Sequence, residues 1–411
     1  MTLHRTVDAL AEFGSMQFRR DPHPFLRWLR EHEPVHRTTA GFYLVSRHAD
    51  AEWLLRTTGT VFRGLDSDQV AAAFPMARQH PAIALVVNSM ATRNPPEHTR
   101  LRRRVAAGFT PRQVSELRAA IYRHCEDLLD AVAEPLRDGA TIDLHDTLSE
   151  PLTVQVISAM LGVPEADRRW LAGMVLGIAN GFGKASEELL RHADDCVRML
   201  DGYFATLIGQ RRREPRADLI SALSHGQAGP DALTDGEVIG LLGSLWVAGF
   251  GSTAAGIDMG ALCMMAYPDQ CRWLDGDPDR AAAFADEVLR HTGGPLFYTA
   301  IPRLAARDVE LSGVPIAAGS DVRPLLAAAN RDPAVFPEPD RFDPSRDNRR
   351  ALAYGAGIHY CLGAFLAREE MAIALSGLRR RFPTLAPASE PTWNSHGNAR
   401  VPLAVPVALE R

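Results

Sequence analysis

Residues Val238 to Ile257 carry no charged side chain over 20 positions, and this stretch limits the folds open to the chain more than any other. By length alone it could span a bilayer. Its make-up argues otherwise. Gly240, Gly243, Ser244, Gly249, Gly251, Ser252, Thr253 and Gly256 interrupt the apolar run, and Asp235, Glu237 and Asp258 flank it. No basic cluster marks a cytoplasmic side. Thr234-Asp-Gly-Glu237 has the spacing of a capping box, which marks a helix start. The expectation is a long helix through the centre of a large core, its small residues turned toward a bulky partner.

Elsewhere the pattern is mostly helical. Amphipathic segments appear around Pro24–His32, Val114–Val132, Glu165–Ile178, Ser186–Arg213 and Arg280–Arg290, with short strand-like runs at Val35–Val45, Val309–Ile316, Asp321–Leu326 and Val401–Leu409. No linker, repeat or composition break divides the chain, so residues 1–411 read as one α-rich domain with small sheets. A net charge of −5 gives no global sign of nucleic-acid binding. Five cysteines, an odd number with no C-x-x-C pair, argue against a disulfide framework or a zinc site. Met1 to Arg20 has scattered charges and no apolar core, which fits neither a signal peptide nor a membrane anchor. A soluble cytoplasmic protein is expected. Lys184 is the only lysine among 45 Lys plus Arg, a bias that reads as GC-rich coding and hints at a bacterial source.

The chemistry concentrates near the C-terminus, in Tyr354-Gly-Ala-Gly-Ile-His-Tyr-Cys361-Leu-Gly363-Ala-Phe-Leu-Ala-Arg368. A helical pattern begins directly after Cys361, placing its sulfur at a helix N-terminus, where the dipole and free N–H groups favour a thiolate. Gly355, Gly357 and Gly363 let the backbone pass close to something broad and flat. A solitary thiolate so held is the axial ligand a haem iron needs to activate oxygen. Taken alone, Cys361 reads first as a small buried hydrophobe, and the glycine loop as a turn or an anion site. The order of aromatic, Gly, His-x-Cys-x-Gly and Leu-Ala-Arg resembles the haem-binding loop of the cytochrome P-450 family. One position departs: Tyr354 stands where the family usually has Phe, and its hydroxyl needs a partner if buried.

The resemblance covers nearly the whole chain. It implies a mainly α fold with small β-sheets, a long central helix over a buried haem, and haem b (iron protoporphyrin IX) held by the Cys361 thiolate. It implies a monooxygenase that uses dioxygen and externally supplied electrons. Glu287-Val-Leu-Arg290 puts both side chains on one helix face. In isolation such a pair is a surface contact worth little. In the family it is buried and locks a downstream loop, and the resemblance makes Arg341, in Pro339-Asp-Arg-Phe-Asp343, its third partner. The haem propionates need charge-assisted donors, and His98, Arg102, Arg303 and His359 stand at the family's positions for them.

The central helix departs from the family pattern Ala-Gly-x-acid-Thr-Thr, reading Ala248-Gly249-Phe250-Gly251-Ser252-Thr253. Ala248 and Gly249 keep room for dioxygen. Gly251 replaces the acid, and Ser252 replaces the threonine that in the family organises water for proton delivery. Three outcomes stay open. Ser252, or else Thr253, holds the water and ordinary insertion follows; the substrate's own polar group delivers protons; or the reaction is coupling, desaturation or ring closure without insertion. By analogy the substrate pocket draws on Val86–Met90 (with Val87 and Met90), Gly177–Phe182, Leu245, Trp246, Phe250, Pro295–Phe297 (with Leu296 and Phe297) and His396–Asn398 (around Gly397). Most are apolar, as small-molecule sites usually are.

No flavin or nicotinamide fingerprint is present. Electrons are therefore expected from a ferredoxin and a ferredoxin reductase; Arg100, Arg103, Arg104, Arg112, Arg346, Arg349 and Arg350 form a basic docking patch if they share the face behind Cys361, and are otherwise scattered solvated charges. The expected function is oxidation of a small organic substrate by hydroxylation or epoxidation in bacterial specialised metabolism, with no nucleic-acid or membrane partner. The alternatives are the non-inserting reactions above and a non-catalytic haem-based sensor.

Overall fold

The uncharged stretch lies inside one helix of 32 residues, Asp235–Ala266. Its capping box is present: the Thr234 hydroxyl accepts from the Glu237 N–H at 3.2 Å, and the Glu237 carboxylate accepts from the Thr234 N–H at 2.8 Å. By length and composition this helix could cross a membrane. Its neighbours explain its apolarity instead, because helices cover it along much of its length.

The computed structural model describes residues 8–64, 75–180, 186–225, 229, 231–294, 302–395 and 399–410. Its principal helices, in chain order, are α1 (His23–His32), α2 (His48–Arg56), α3 (Pro81–Val87), α4 (Glu97–Ala106), α5 (Pro111–Arg137), α6 (Glu150–Leu161), α7 (Arg168–Asn180), α8 (Glu187–Arg213), α9 (Asp235–Ala266), α10 (Pro278–Thr292) and α11 (Ala364–Arg381). Helix α9 packs on α6, α8, α10 and α11. A Cβ at Gly249 would lie 2.8 Å from Ile157 Cδ1 of α6, and one at Gly260 would lie 2.6 Å from Leu375 Cδ1 of α11. The bulky partners of these small residues are therefore neighbouring helices, and the small positions set how closely α9 can be approached. One continuous apolar cluster runs through this packing from Ala82 to Val407.

The sheets are small, and the largest packs around an apolar cluster of its own beside the helical core. Strands β1 (Val35–Arg37), β2 (Tyr43–Val45), β3 (Phe62–Arg63), β4 (Arg303–Ala305) and β5 (Asp321–Pro324) form one sheet in the order β1-β2-β5-β4-β3. Within it the β2–β5 pairing is parallel and the other strand pairings are antiparallel. The strand-like run Val35–Val45 becomes the β1–β2 hairpin, closed by the Thr38 N–H donating to the Phe42 carbonyl at 2.8 Å. This sheet matters because β4 begins with Arg303.

Candidate functional site

The loop before α11 is fixed by its own backbone. The Cys361 N–H donates to the Tyr354 carbonyl at 2.8 Å, the Tyr360 N–H to that of Gly357 at 3.1 Å, and the Gly355 N–H to that of Leu352 at 2.8 Å. Gly357 has φ +68°, and a Cβ there would lie 2.4 Å from the Leu55 carbonyl oxygen. That glycine is needed because the loop crosses the end of α2, a different cause from the flat partner expected of it. Gly363, by contrast, has nothing near its missing Cβ. Gly357→Ala is expected to destabilise the protein by about 2 kcal/mol or more, from left-handed strain plus the contact, read as a lowered thermal unfolding midpoint; an unchanged midpoint would contradict this account of the loop.

Cys361 is exposed to open space, yet it lies deep enough among protein atoms that desolvation pushes its thiol up. The Gly363 N–H, donating to the sulfur, and the nearby Arg102 charge oppose this. The helix terminus alone therefore does not secure a thiolate. A cation bound to the sulfur would.

All four expected donors gather beside this loop. His98 and Arg102 sit one turn apart on α4, and the His98 ring meets that of His359 edge-on with centroids 4.4 Å apart. The Arg102 guanidinium donates to the Tyr360 carbonyl at 2.6 Å. Arg303, buried at the start of β4, donates to the Pro302 carbonyl at 3.0 Å and to that of Ala91 at 3.3 Å. Burial, and then the Arg303, His98 and Arg102 charges, push His359 down to about 2. Burial, Arg102 and Arg303 also lower His98, and burial takes Arg303 down to about 10. Both ring nitrogens of His98 and Nε2 of His359 are buried without hydrogen-bond partners among the described residues. Each such orphan costs about 1–3 kcal/mol. Two arginine charges beside orphaned ring nitrogens fit a group that brings negative charge, and two carboxylates beside an iron-binding sulfur meet that need. The residues present fit a haem.

On α9, Ala248 is exposed in mid-helix, and Leu245, Gly251 and Ser252 are half-buried. Leu245, Ala248 and Ser252 recur at i, i+3 and i+7, so this face of the helix borders open space. No atom lies within 4 Å of a Cβ built at Gly251. The Ser252 hydroxyl donates to the Ala248 carbonyl at 2.8 Å, which commits its proton and leaves its oxygen free to accept.

Several expectations for this helix are corrected. A Cβ at Gly249 would meet Ile157, so packing on α6 alone requires a glycine there. Thr253 is buried, so Ser252 is the hydroxyl on the open side. Trp246 is fully buried, its indole N–H donating to the Leu171 carbonyl at 3.3 Å, and Phe250 is buried as well. Positions 246, 250, 253 and 257 share the core face at i, i+4, i+7 and i+11. Val87 is buried against Ile83 and Leu304. Met90 and Leu245 are partly buried at the edge of the main cluster. Leu296, Phe297 and Gly397 lie outside the described residues, as does Phe182.

Glu287 and Arg290 are fully buried. Arg290 Nε and Nη2 donate to the two Glu287 oxygens at 2.7 Å each, and the guanidinium also reaches the carbonyls of Asn330, Pro339 and Arg341. Glu287 further accepts from the Asp343 N–H at 2.9 Å and from Asn348 Nδ2 at 3.1 Å. Arg341 is not the third charged partner. Phe342 takes the inward position, which turns the Arg341 side chain out toward Glu338 at 3.6 Å and Asp343 at 3.8 Å. Arg346 instead brings its Nε to 3.7 Å from Glu287. Arg346 and Asn348 carry no spacing signal toward Glu287, because their placement depends on the path of the intervening loop.

The expected basic patch is largely neutralised. Arg100 pairs with Glu237, Arg103 with Asp231, Arg112 with Glu116, Arg349 with Asp347 and Arg350 with Glu52. Arg104 donates to the Asp231 carbonyl and Arg346 to that of Pro337. Near Cys361 the exposed large side chains are Tyr360 and Phe365.

The sequence model of the family described as Cytochrome P450 matches residues 281–404. "Cytochrome P450 BJ-3" of Bradyrhizobium diazoefficiens is 41% identical over 415 residues, covering 98% of this chain and 96% of that protein. "Mycinamicin IV hydroxylase/epoxidase" of Micromonospora griseorubida is 35% identical, covering 92% of this chain and 93% of that protein. Among solved structures, cytochrome P450mel 107F1 "with biaryl coupling reactivity" superposes with a TM-score of 0.82 at 34% identity, covering 97% of this chain and 99% of that one.

Proposed function

The chain belongs to the cytochrome P450 family, and from that premise we propose that it inserts an oxygen atom into a small organic substrate, by hydroxylation or epoxidation, in the making of a bacterial specialised metabolite. By membership it is a haem-thiolate monooxygenase. The haem, when bound, supplies the activation of dioxygen. Cys361 holds its iron. His98, Arg102, Arg303 and His359 would take the propionates, which would neutralise the arginine charges and give the orphaned ring nitrogens partners. Glu287 and Arg290 keep the loop downstream of α10 in place.

One observation carries the choice of insertion: Ser252 stands on the open face of α9 with its proton bonded to the Ala248 carbonyl. Its oxygen can therefore accept a hydrogen bond from water and hold that water for proton transfer. The gap at Gly251 gives the water room. The hydroxylase/epoxidase relative supports this reading. A second reading, coupling or ring closure without insertion, draws on the absent acid and on the biaryl-coupling neighbour. We read the enzyme as cytoplasmic, with a ferredoxin and its reductase as electron donors meeting Tyr360 and Phe365 on the face near Cys361.

Gly251→Asp separates the two reaction types, because the new side chain enters free space. Under insertion, an added acid is expected to raise the fraction of electrons recovered in product, up to about tenfold, well within what a positioned acid contributes. Loss of product with haem content unchanged would overturn the Ser252 route.

A further inference from the structure

A single turn of π-helix, His145–Ser149, runs directly into α6. The Glu150 N–H donates to the His145 carbonyl, five positions back, which is the bond that defines the π form. In an α-helix, residues five apart point about 140° away from each other. The wider turn brings them round to one side, and His145 Nε2 lies 3.4 Å from Glu150 Oε2. Ligand atoms of His145, Asp146 and Glu150 all fall within 4.8 Å of one another. Single π turns are rare and recur at functional sites.

A carboxylate from another helix fixes the ring. Asp258 of α9 is fully buried; its Oδ2 accepts from His145 Nδ1 at 2.7 Å, and its Oδ1 accepts from the Ser149 hydroxyl at 2.6 Å. Nε2 is thereby turned toward Glu150. A carboxylate behind one ring nitrogen is what orients a histidine whose other nitrogen binds a metal. The surroundings are short of positive charge. Asp143 accepts from the His145 N–H at 3.0 Å, so four acids gather about one imidazole. Among the described residues none of the four pairs with an arginine, and burial, then Asp143, pushes the Asp146 carboxyl up. Burial opposes a charge on His145, but Asp258 and Glu150 outweigh it and hold the imidazole up to about 10. Carboxylates that grip a proton so firmly can hold a divalent cation in its place, the proton leaving to solvent. The span suits a tetrahedral ion, because ligands at about 2.1 Å from zinc stand about 3.4 Å apart. One nitrogen with two oxygens favours zinc over magnesium or calcium, which take oxygen ligands. No cysteine takes part.

We propose that His145, Asp146 and Glu150 bind one divalent cation of the zinc class, with Asp258 as the buried carboxylate that orients the His145 ring. The ion clips the start of α6 to the central helix through the His145–Asp258 contact. The test titrates chelator-treated, haem-loaded enzyme with zinc, magnesium and calcium ions by calorimetry, and reads hydrogen exchange of the amides of residues 145–150 with and without zinc. The wild type is expected to take up one zinc ion per chain, in a step that His145→Ala abolishes. Asp258→Asn is expected to weaken that step about 10–100-fold, the usual effect of an outer-shell partner. Asp146→Asn and Glu150→Gln alter side chains that reach solvent, so fold and haem content are kept. Each is expected to weaken zinc binding at least about tenfold. Zinc should slow exchange at 145–150 in the wild type and not in Glu150→Gln. Absence of a one-to-one zinc step in the wild type, zinc binding as tight in Glu150→Gln as in the wild type, or magnesium or calcium held as tightly as zinc would each overturn the proposal.

Discussion

Glu287→Ala is expected to destabilise the protein by about 3–5 kcal/mol, the cost of leaving one member of a buried pair without its partner. The Arg290 guanidinium is fully buried and would lose two bonds of 2.7 Å at once. The Asp343 N–H and Asn348 Nδ2 would lose their acceptor in the same step. A loss of this size is a large part of the total stability of a typical protein. Haem retention should fail with it, because the arginine also ties down the carbonyls of Asn330, Pro339 and Arg341 ahead of the Cys361 loop. Arg290→Lys should rescue little, since a point charge cannot reproduce the two-pronged contact. Urea unfolding with haem content measured in parallel checks this. A change below about 1 kcal/mol, the range of an exposed pair, would contradict the role given to Glu287.

Cys361→Ser is expected to abolish the thiolate-type spectrum of the reduced, carbon monoxide-bound enzyme and to cut product formation by more than about a hundredfold. Outer-shell partners of a metal ligand are worth about 10–100-fold, and the ligand itself should exceed them. The fold should survive, because Cys361 is exposed and its backbone bond, from its N–H to the Tyr354 carbonyl, does not use the sulfur. No other cysteine is placed to substitute. Cys125, Cys196, Cys263 and Cys271 are buried, and burial pushes Cys125 and Cys263 up to about 12. Reduced carbon monoxide spectra and product assays check the two arms. A thiolate-type spectrum that persists in Cys361→Ser would remove this residue as the ligand.

What the sequence disclosed follows the range of the interactions involved. The Thr234–Glu237 capping box, the Glu287–Arg290 pair and the His98–Arg102 spacing are set within one helical turn, so local pattern suffices to find them. The direction in which α9 faces was harder to read. Trp246, Phe250 and Thr253 lie on the core face, but the helix is apolar on every side, leaving no polar stripe to mark its open face. Only the packing of α6, α7 and α11 separates the core side from the open one. The partners of Glu287 depended on loop path, which moved the third charge from Arg341 to Arg346. The arginine patch looked basic because Glu237, Asp231 and Glu52, which neutralise much of it, are distant in sequence. Asp258 and His145, 113 positions apart, carry no sequence signal of their contact.

The most direct test supplies the purified, haem-loaded enzyme with electrons, heavy-isotope dioxygen and an extract of precursor metabolites, and follows products by mass spectrometry. Oxygen insertion predicts a product carrying one heavy oxygen atom, formed by the wild type and lost in Cys361→Ser. A product lighter than its precursor by two hydrogens, with no heavy oxygen, would contradict insertion and make the Gly251–Ser252 segment part of a coupling or ring-closing reaction.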